Sequence, residues 1–252
     1  MEEEIITSYF ICDELLKSMN IREDIRVKTN NAEVMTVVPT AAWFFGGHIR
    51  NSSIFLKEHG YIPDMLGESR PNRRIHEIDD FVWETLFHII SEIHKKTNES
   101  REYVIDSFPI PVCDNIRIGR SNIFEGEDYR GHIPSKRRYF YGIRVHMIVT
   151  ASGEPVEFVI APGADSDTKV FEQIDFDLPE NSICYGDKSY DGYQYEDLLL
   201  EASGIIFGPL RKKNSLRATD SYVERLAAQH TGRRVETSFS EITRFFQKRS
   251  MP

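Results

Sequence analysis

Two aspartates stand where a short apolar run gives out. Asp106 follows Tyr103-Val104-Ile105, and Asp187 follows Ser182-Ile183-Cys184-Tyr185-Gly186. A third acid, Glu236, lies in a stretch of helical spacing near the end of the chain. In open α/β sheets, ligands gather beyond the carboxyl ends of strands, so acids at two such ends can face one site. Carboxylates that converge there suit hard divalent cations such as Mg²⁺, which prefer oxygen ligands. Two such ions about 4 Å apart can activate an attacking oxygen and stabilise a leaving one in phosphoryl displacement. Positioning and charge neutralisation then supply most of the catalysis. Residue type alone is a weak signal, because the chain holds 40 acidic residues. A single Asp at a strand end is more often a turn former or a helix cap.

The elements that must position these acids fall into two regions. Residues 1–98 read as helical, and the change of pattern at TNESRE marks a linker to a second domain, 99–252. Asn30 or Asn31 is a plausible N-cap with Glu33 in the first turn. The run AEVMTVVPTAAWFF is apolar almost all round, so that helix should be buried. Pro39 within it predicts a kink or break, and Gly46-Gly47 ends it. A short helix near 52–58, a loop through IPDMLGESRPNRR and a longer amphipathic helix near 77–96 complete this region. Beyond the linker, 103–108, 137–150, 154–163, 181–187 and 204–210 read as strands. Helices are expected from about 165, with Ser166 or Asp167 as cap, over 193–203 and over 233–248. The turn at Ser152-Gly153 should join its strands in an antiparallel hairpin. This order implies an α/β fold with a mixed sheet, matching a ribonuclease H-like catalytic domain behind an all-helical N-terminal region.

Composition excludes several classes. No apolar run approaches the roughly 18 residues of a membrane span, and the acidic start MEEEIITSYF is unlike a signal peptide. A soluble, cytoplasmic protein is the expectation. Cys12, Cys113 and Cys184 form no CxxC pair, which points to reduced thiols. There is no GxxxxGK[ST] loop for ATP, and Ser107 lacks the GxSxG context of a serine hydrolase. His132 and His146 lack metal-ligand spacing, and His146 reads as structural. Asp114 reads as a turn residue, and Tyr139, Tyr141, Tyr190, Tyr193 and Tyr195 as packing on the sheet rather than base stacking. Net charge is −9, with pI near 5.4, which argues mildly against nucleic-acid binding. Distribution counts for more than the sum, however. The basic residues cluster: Arg70, Arg73, Arg74 and His76; Lys136, Arg137 and Arg138; Arg211, Lys212 and Lys213; Arg233 and Arg234.

The words around the acids are more specific than the acids. YVIDSFPIPVCDNIRI, Phe140-Tyr141-Gly142-Ile143-Arg144-Val145-His146, GEPVEFVIAPGADSDTKVF, YGDKSYDGYQYEDLL, GPLRKKNS and RRVETSFSEI follow in order. This series resembles DDE transposases of the insertion-sequence family numbered nine-eight-two, relatives of the insertion-sequence-four group. AEVMTVVPTAAWFFGG and FLKEHGYIPDMLGESRPNRRIH resemble the same family's helical N-terminal region.

The resemblance implies a catalytic and metal-binding triad of Asp106 (IDSFP), Asp187 (GDK) and Glu236 (RxxE, with Arg233), spaced 81 and 49 residues apart. It implies Mg²⁺ or Mn²⁺ as cofactor, as two ions, and cleavage of DNA at element ends followed by attack of the freed 3′-OH on target DNA. The expected partners are double-stranded DNA (terminal inverted repeats and target) and a second copy of the chain, on the bacterial nucleoid. Arg70, Arg73, Arg74, Arg144, Lys188, Arg211, Lys212, Lys213 and Arg233 are the expected DNA contacts. Arg144 stands where Lys is expected, and Arg and Lys are not equivalent at a phosphate. The chain stops at FFQKRSMP, where family members continue in further helix, so a shortened copy is expected. Its last helix would expose Ile242, Phe245 and Phe246. The alternative is a truncated, inactive DNA-binding relic.

Overall fold

The computed structural model describes residues 1–24, 26–67, 69–114, 123–133, 137–190, 192–211, 215, 217 and 240. The chain divides into two compact units, Met1–Ile89 and Ile90–Pro252. Between residues 2 and 97 the ordered elements are five helices: α1 (Glu2–Ser18), α2 (Asn31–Phe45), α3 (Ile49–Glu58), α4 (Arg70–Glu77) and α5 (Asp80–Thr97). The expected cap of α2 is present as a full capping box. The Asn30 side chain accepts from the Glu33 amide at 2.8 Å, and the Glu33 carboxylate accepts from the Asn30 amide at 2.8 Å. Two orphan amides of the first turn are thereby satisfied. The helix closes at Gly46, whose φ of 56° is left-handed, as a C-terminal glycine permits.

Two expectations for this region need correction. Pro39 does not interrupt α2, which runs unbroken through it. A proline forfeits one helical hydrogen bond, but α2 buries Val34, Met35 and Val37 completely, and packing outweighs local preference. The stretch read as a loop ends in a helix instead. Pro71 lies in the first turn of α4, where its missing N–H costs nothing. Two apolar cores hold the unit. One gathers Cys12, Leu15, Leu16, Val34, Met35, Ile78 and Val82, and the other Ile5, Val37, Leu56, Ile62 and Met65.

The second unit is built on a six-stranded mixed sheet: β1 (Glu102–Asp114), β2 (Arg130–Ile133), β3 (Arg138–Thr150), β4 (Pro155–Pro162), β5 (Ile183–Gly186) and β6 (Ile206–Pro209). Along the path the order is β2-β3-β1-β5-β6, and β4 also pairs with β3. Strands β1, β2 and β4 run antiparallel to β3, while β1, β5 and β6 are mutually parallel. The expected hairpin is β3–β4. Helices α6 (Asp167–Phe171) and α7 (Tyr193–Ser203) fall where helices were read, and Ser166 caps α6 by accepting from the Lys169 amide at 3.2 Å. The helix expected over 233–248 lies outside the described residues apart from Ser240.

Strand β1 is twice as long as its apolar run suggested. Pro109 and Pro111 lie beyond the expected strand 103–108, and both pair in register with β3, opposite Arg144 and Gly142. They lie past the last β1–β5 rung, Ile105 with Gly186. Proline is tolerated where one edge of a strand carries no ladder. Alternation sorts the sheet into two faces. Tyr103, Ile105 and Ile148 join Phe171, Tyr190 and Phe207 in a core on one face. Val104, Phe108, Val145, Met147 and Val149 form the core of the other.

Candidate active site

Strand register brings two of the three predicted acids together. The last paired residues of β1 and β5 are Ile105 and Gly186, so Asp106 and Asp187 occupy the next position on neighbouring parallel strands. Such strands lie about 4.8 Å apart. Asp106 stands opposite Met147 of β3, between Val104 and Phe108 on the second core's face. Asp187 is two residues after Tyr185, which packs on that same core. Asp106 therefore points to the second core's face, and Asp187 stands one residue past the end of β5. Asp106 is half-buried and Asp187 exposed.

Gly186 leaves room for the packed side chains of Phe207 and Ile105. A methyl group there would stand 2.8 Å from Phe207 Cζ and 3.2 Å from Ile105 Cγ2. Past Gly186 the chain turns sharply. Asp187 Oδ1 accepts from the Ser189 amide at 2.7 Å and from the Ser189 hydroxyl, and the Tyr190 amide donates to the Asp187 carbonyl at 3.3 Å. Among the described residues Asp187 Oδ2 accepts no hydrogen bond. One carboxylate oxygen thus fixes the turn. Asp106 Oδ1 accepts from the Ser107 amide at 2.7 Å.

On the face opposite Asp106 lies a polar cluster that the sequence did not reveal. The Ser107 hydroxyl donates to Asp167 Oδ1 at 3.1 Å. Arg144 reaches the same oxygen at 3.4 Å, and its other amino group donates to the His132 carbonyl at 3.2 Å. His146 Nδ1 lies 2.9 Å from the Tyr190 hydroxyl, and both side chains are fully buried. Burial pushes the His146 imidazole down to about 4; the Asp167 carboxylate opposes the shift and Arg144 adds to it. Burial likewise raises the Tyr190 phenol well above its ordinary value. The partners are 12 to 60 residues apart in the chain. The available signal was parity: Ser107, Arg144 and His146 share one face once β1 and β3 are in register.

The expected DNA-contacting residues have different surroundings. Arg70 and Arg73 are exposed on α4, with Arg73 3.4 Å from Glu77. Arg74 turns inward, donating to Asn31 Oδ1 at 2.7 Å and lying 3.5 Å from Glu23. Lys188 is exposed beside Asp187. Arg144 is largely covered and engaged with Asp167. Arg211 makes two hydrogen bonds to buried Glu196, at 2.8 and 2.6 Å, and lies over the Tyr193 ring. Glu236, Arg233, Lys212 and Lys213 lie outside the described residues. Of the tyrosines, Tyr141, Tyr190 and Tyr195 pack or bond internally, whereas Tyr139 is exposed. Cys12 and Cys184 are buried free thiols and Cys113 is half-buried. No described helix is long and apolar enough to cross a membrane.

A paired-carboxylate site at the ends of central parallel strands, in a mixed α/β sheet, has the donor chemistry of a divalent-cation centre for phosphoryl transfer. A family model described as transposase DDE domain matches residues 96–245, more than half of the 252-residue chain, and the chain belongs to that family. No curated protein and no solved structure matches it.

Proposed function

We propose that the chain is a transposase that cuts DNA at the ends of its own element and joins the freed 3′-OH to target DNA, within the insertion-sequence family numbered nine-eight-two. The observation that carries this is the register of β1 and β5, whose last rung, Ile105 with Gly186, is followed on each strand by an aspartate, Asp106 and Asp187. The strand order β4-β3-β1-β5-β6 supports a ribonuclease H-like catalytic domain over 99–252. The helices before residue 98 serve as the DNA-binding region for terminal inverted repeats.

The donor set fits the group that the family implies. Asp106, Asp187 and Glu236 would hold Mg²⁺ or Mn²⁺, as two ions, through hard carboxylate oxygens, and Asp187 Oδ2 is open for this. When bound, the metal lowers the charge barrier at the scissile phosphate and activates the attacking oxygen. The chain's own part is to fix the carboxylates before substrate arrives. The sheet holds Asp106, and the Ser189 turn holds Asp187. Lys188, exposed next to Asp187, is placed to contact a backbone phosphate, and Arg70 and Arg73 to contact DNA through α4. Two element ends call for two copies of the chain.

Purified protein incubated with its own element ends should nick DNA only when Mg²⁺ or Mn²⁺ is present. Asp187→Asn and Asp106→Asn should abolish nicking yet leave DNA binding within about twofold, since phosphate contacts dominate affinity. Nicking retained by Asp187→Asn would remove that residue from the site. Salt-sensitive DNA binding without any metal-dependent product, from the unaltered chain, would favour a non-catalytic relic.

A further inference from the structure

The two acids are braced from behind by one short turn. Asp106 and Asp187 follow directly on the Ile105–Gly186 rung, and the residues beside them are both tied to the start of α6. Ser107, next to Asp106, donates to the Asp167 carboxylate at 3.1 Å. Ser189, which shapes the Asp187 turn, accepts at its carbonyl from the Thr168 hydroxyl at 2.8 Å. Asp167 and Thr168 are consecutive, and Ser166 pins the turn that carries them. Tyr190 closes the arrangement, with its ring fully buried beside Phe171 and its hydroxyl on His146.

These ties are unequal in need. Asp106 belongs to a strand with a long ladder to β3. Asp187 has left the sheet, because β5 ends at Gly186, so its position depends on what grips the turn. Groups that orient a metal-binding carboxylate govern affinity nearly as much as the carboxylate itself.

We propose that Asp167 and Thr168 are positioning residues that set the separation of Asp106 and Asp187, with Thr168 as the principal hold on the Asp187 turn. This rests on the reading of both aspartates as metal ligands. Thr168→Val keeps the volume and removes the hydroxyl, whereas Thr168→Ser keeps the bond. Mn²⁺ binding to the full-length chain without DNA, followed by calorimetric titration, is the readout, with thermal melting as a check of folding. Thr168→Val should weaken Mn²⁺ binding about tenfold or more. Thr168→Ser should stay near the unaltered chain. Nicking by Thr168→Val should return as the metal concentration is raised, which a generally damaged protein would not do. Ser107→Ala, which removes the β1 tie without touching the turn, should also weaken Mn²⁺ binding, and it serves if Thr168→Val does not fold. Unchanged Mn²⁺ affinity in both variants, with binding abolished in Asp187→Asn, would overturn the bracing role alone. Unchanged affinity in Asp187→Asn would overturn the metal site itself.

Discussion

His146 shows how a side chain two steps from the acids can govern the molecule. It is fully buried and neutral, with its imidazole depressed to about 4 by burial against the opposing influence of Asp167. An unfolded histidine titrates near 6.5. Below that value the unfolded chain takes up a proton that the folded chain refuses, so His146 lowers stability as pH drops from about 6.5 to 4 and contributes no pH dependence above that range. The contribution at the acid end is on the order of 3 kcal/mol. Urea unfolding of the unaltered chain and of His146→Gln, at pH 7.5 and 4.5, checks this. The variant should lose most of the difference between the two pH values, and an equal acid loss in both would refute the assignment. Sequence had already marked His146 as structural, correctly in that it lies in the core. Its partner Tyr190 was invisible because it is 44 residues away. Arg144 teaches the same lesson. Read alone on its strand it resembles a DNA contact, and only the fold brings Asp167 beneath it.

Elements with a local cause were legible, and those set by neighbours were not. Asn30 and Glu33 carry the capping box in their spacing, and α2 starts where they said. Asn30→Ala should cost about 1 kcal/mol, read from the urea midpoint, because an orphan amide of the first turn loses its acceptor. Strand β1 was underestimated because its second half depends on β3, not on its own prolines. Strand β2 was missed for the same reason: four residues, RGHI, become a strand only by pairing with β3. The candidate site is an element-scale product as well. Neither aspartate is unusual in its own segment, and both gain meaning from the Ile105–Gly186 rung. Gly186→Ala tests that rung. The added methyl would stand 2.8 Å from Phe207 Cζ inside a packed core, and overpacking of this kind costs about 1–3 kcal/mol. Thermal melting should show the loss, and metal affinity should fall with it as the backbone beside Asp187 shifts to relieve the clash with Phe207. Unaltered melting and affinity would show that Phe207 yields to the methyl group without moving Asp187.

At the scale of the whole molecule the difficulty is charge. A chain with a net charge of −9 must approach a polyanion, so any DNA contact has to be made by a few local cations whose neighbours do not neutralise them. The structure ranks the candidates. Arg211 is committed to Glu196 by two hydrogen bonds, and Glu196 is only 4% exposed; withdrawing Arg211 would leave that buried carboxylate with Arg217 alone, at 2.9 Å. Arg74 is tied to Asn31 and Glu23. Arg73 is also paired, with Glu77, but its side chain is 70% exposed, and such surface pairs are worth about 1 kcal/mol or less. A phosphate can therefore outcompete Glu77 for Arg73 where it could not outcompete Glu196 for Arg211. Each phosphate contact steepens the dependence of log affinity on log salt by about 0.9. Arg73→Ala and Arg70→Ala should each flatten that slope by about one, whatever the DNA sequence. Arg211→Ala should leave the slope unchanged while lowering the melting temperature. Binding isotherms at four or more salt concentrations distinguish these outcomes. A slope unmoved in both α4 variants would shift the DNA-binding surface away from α4.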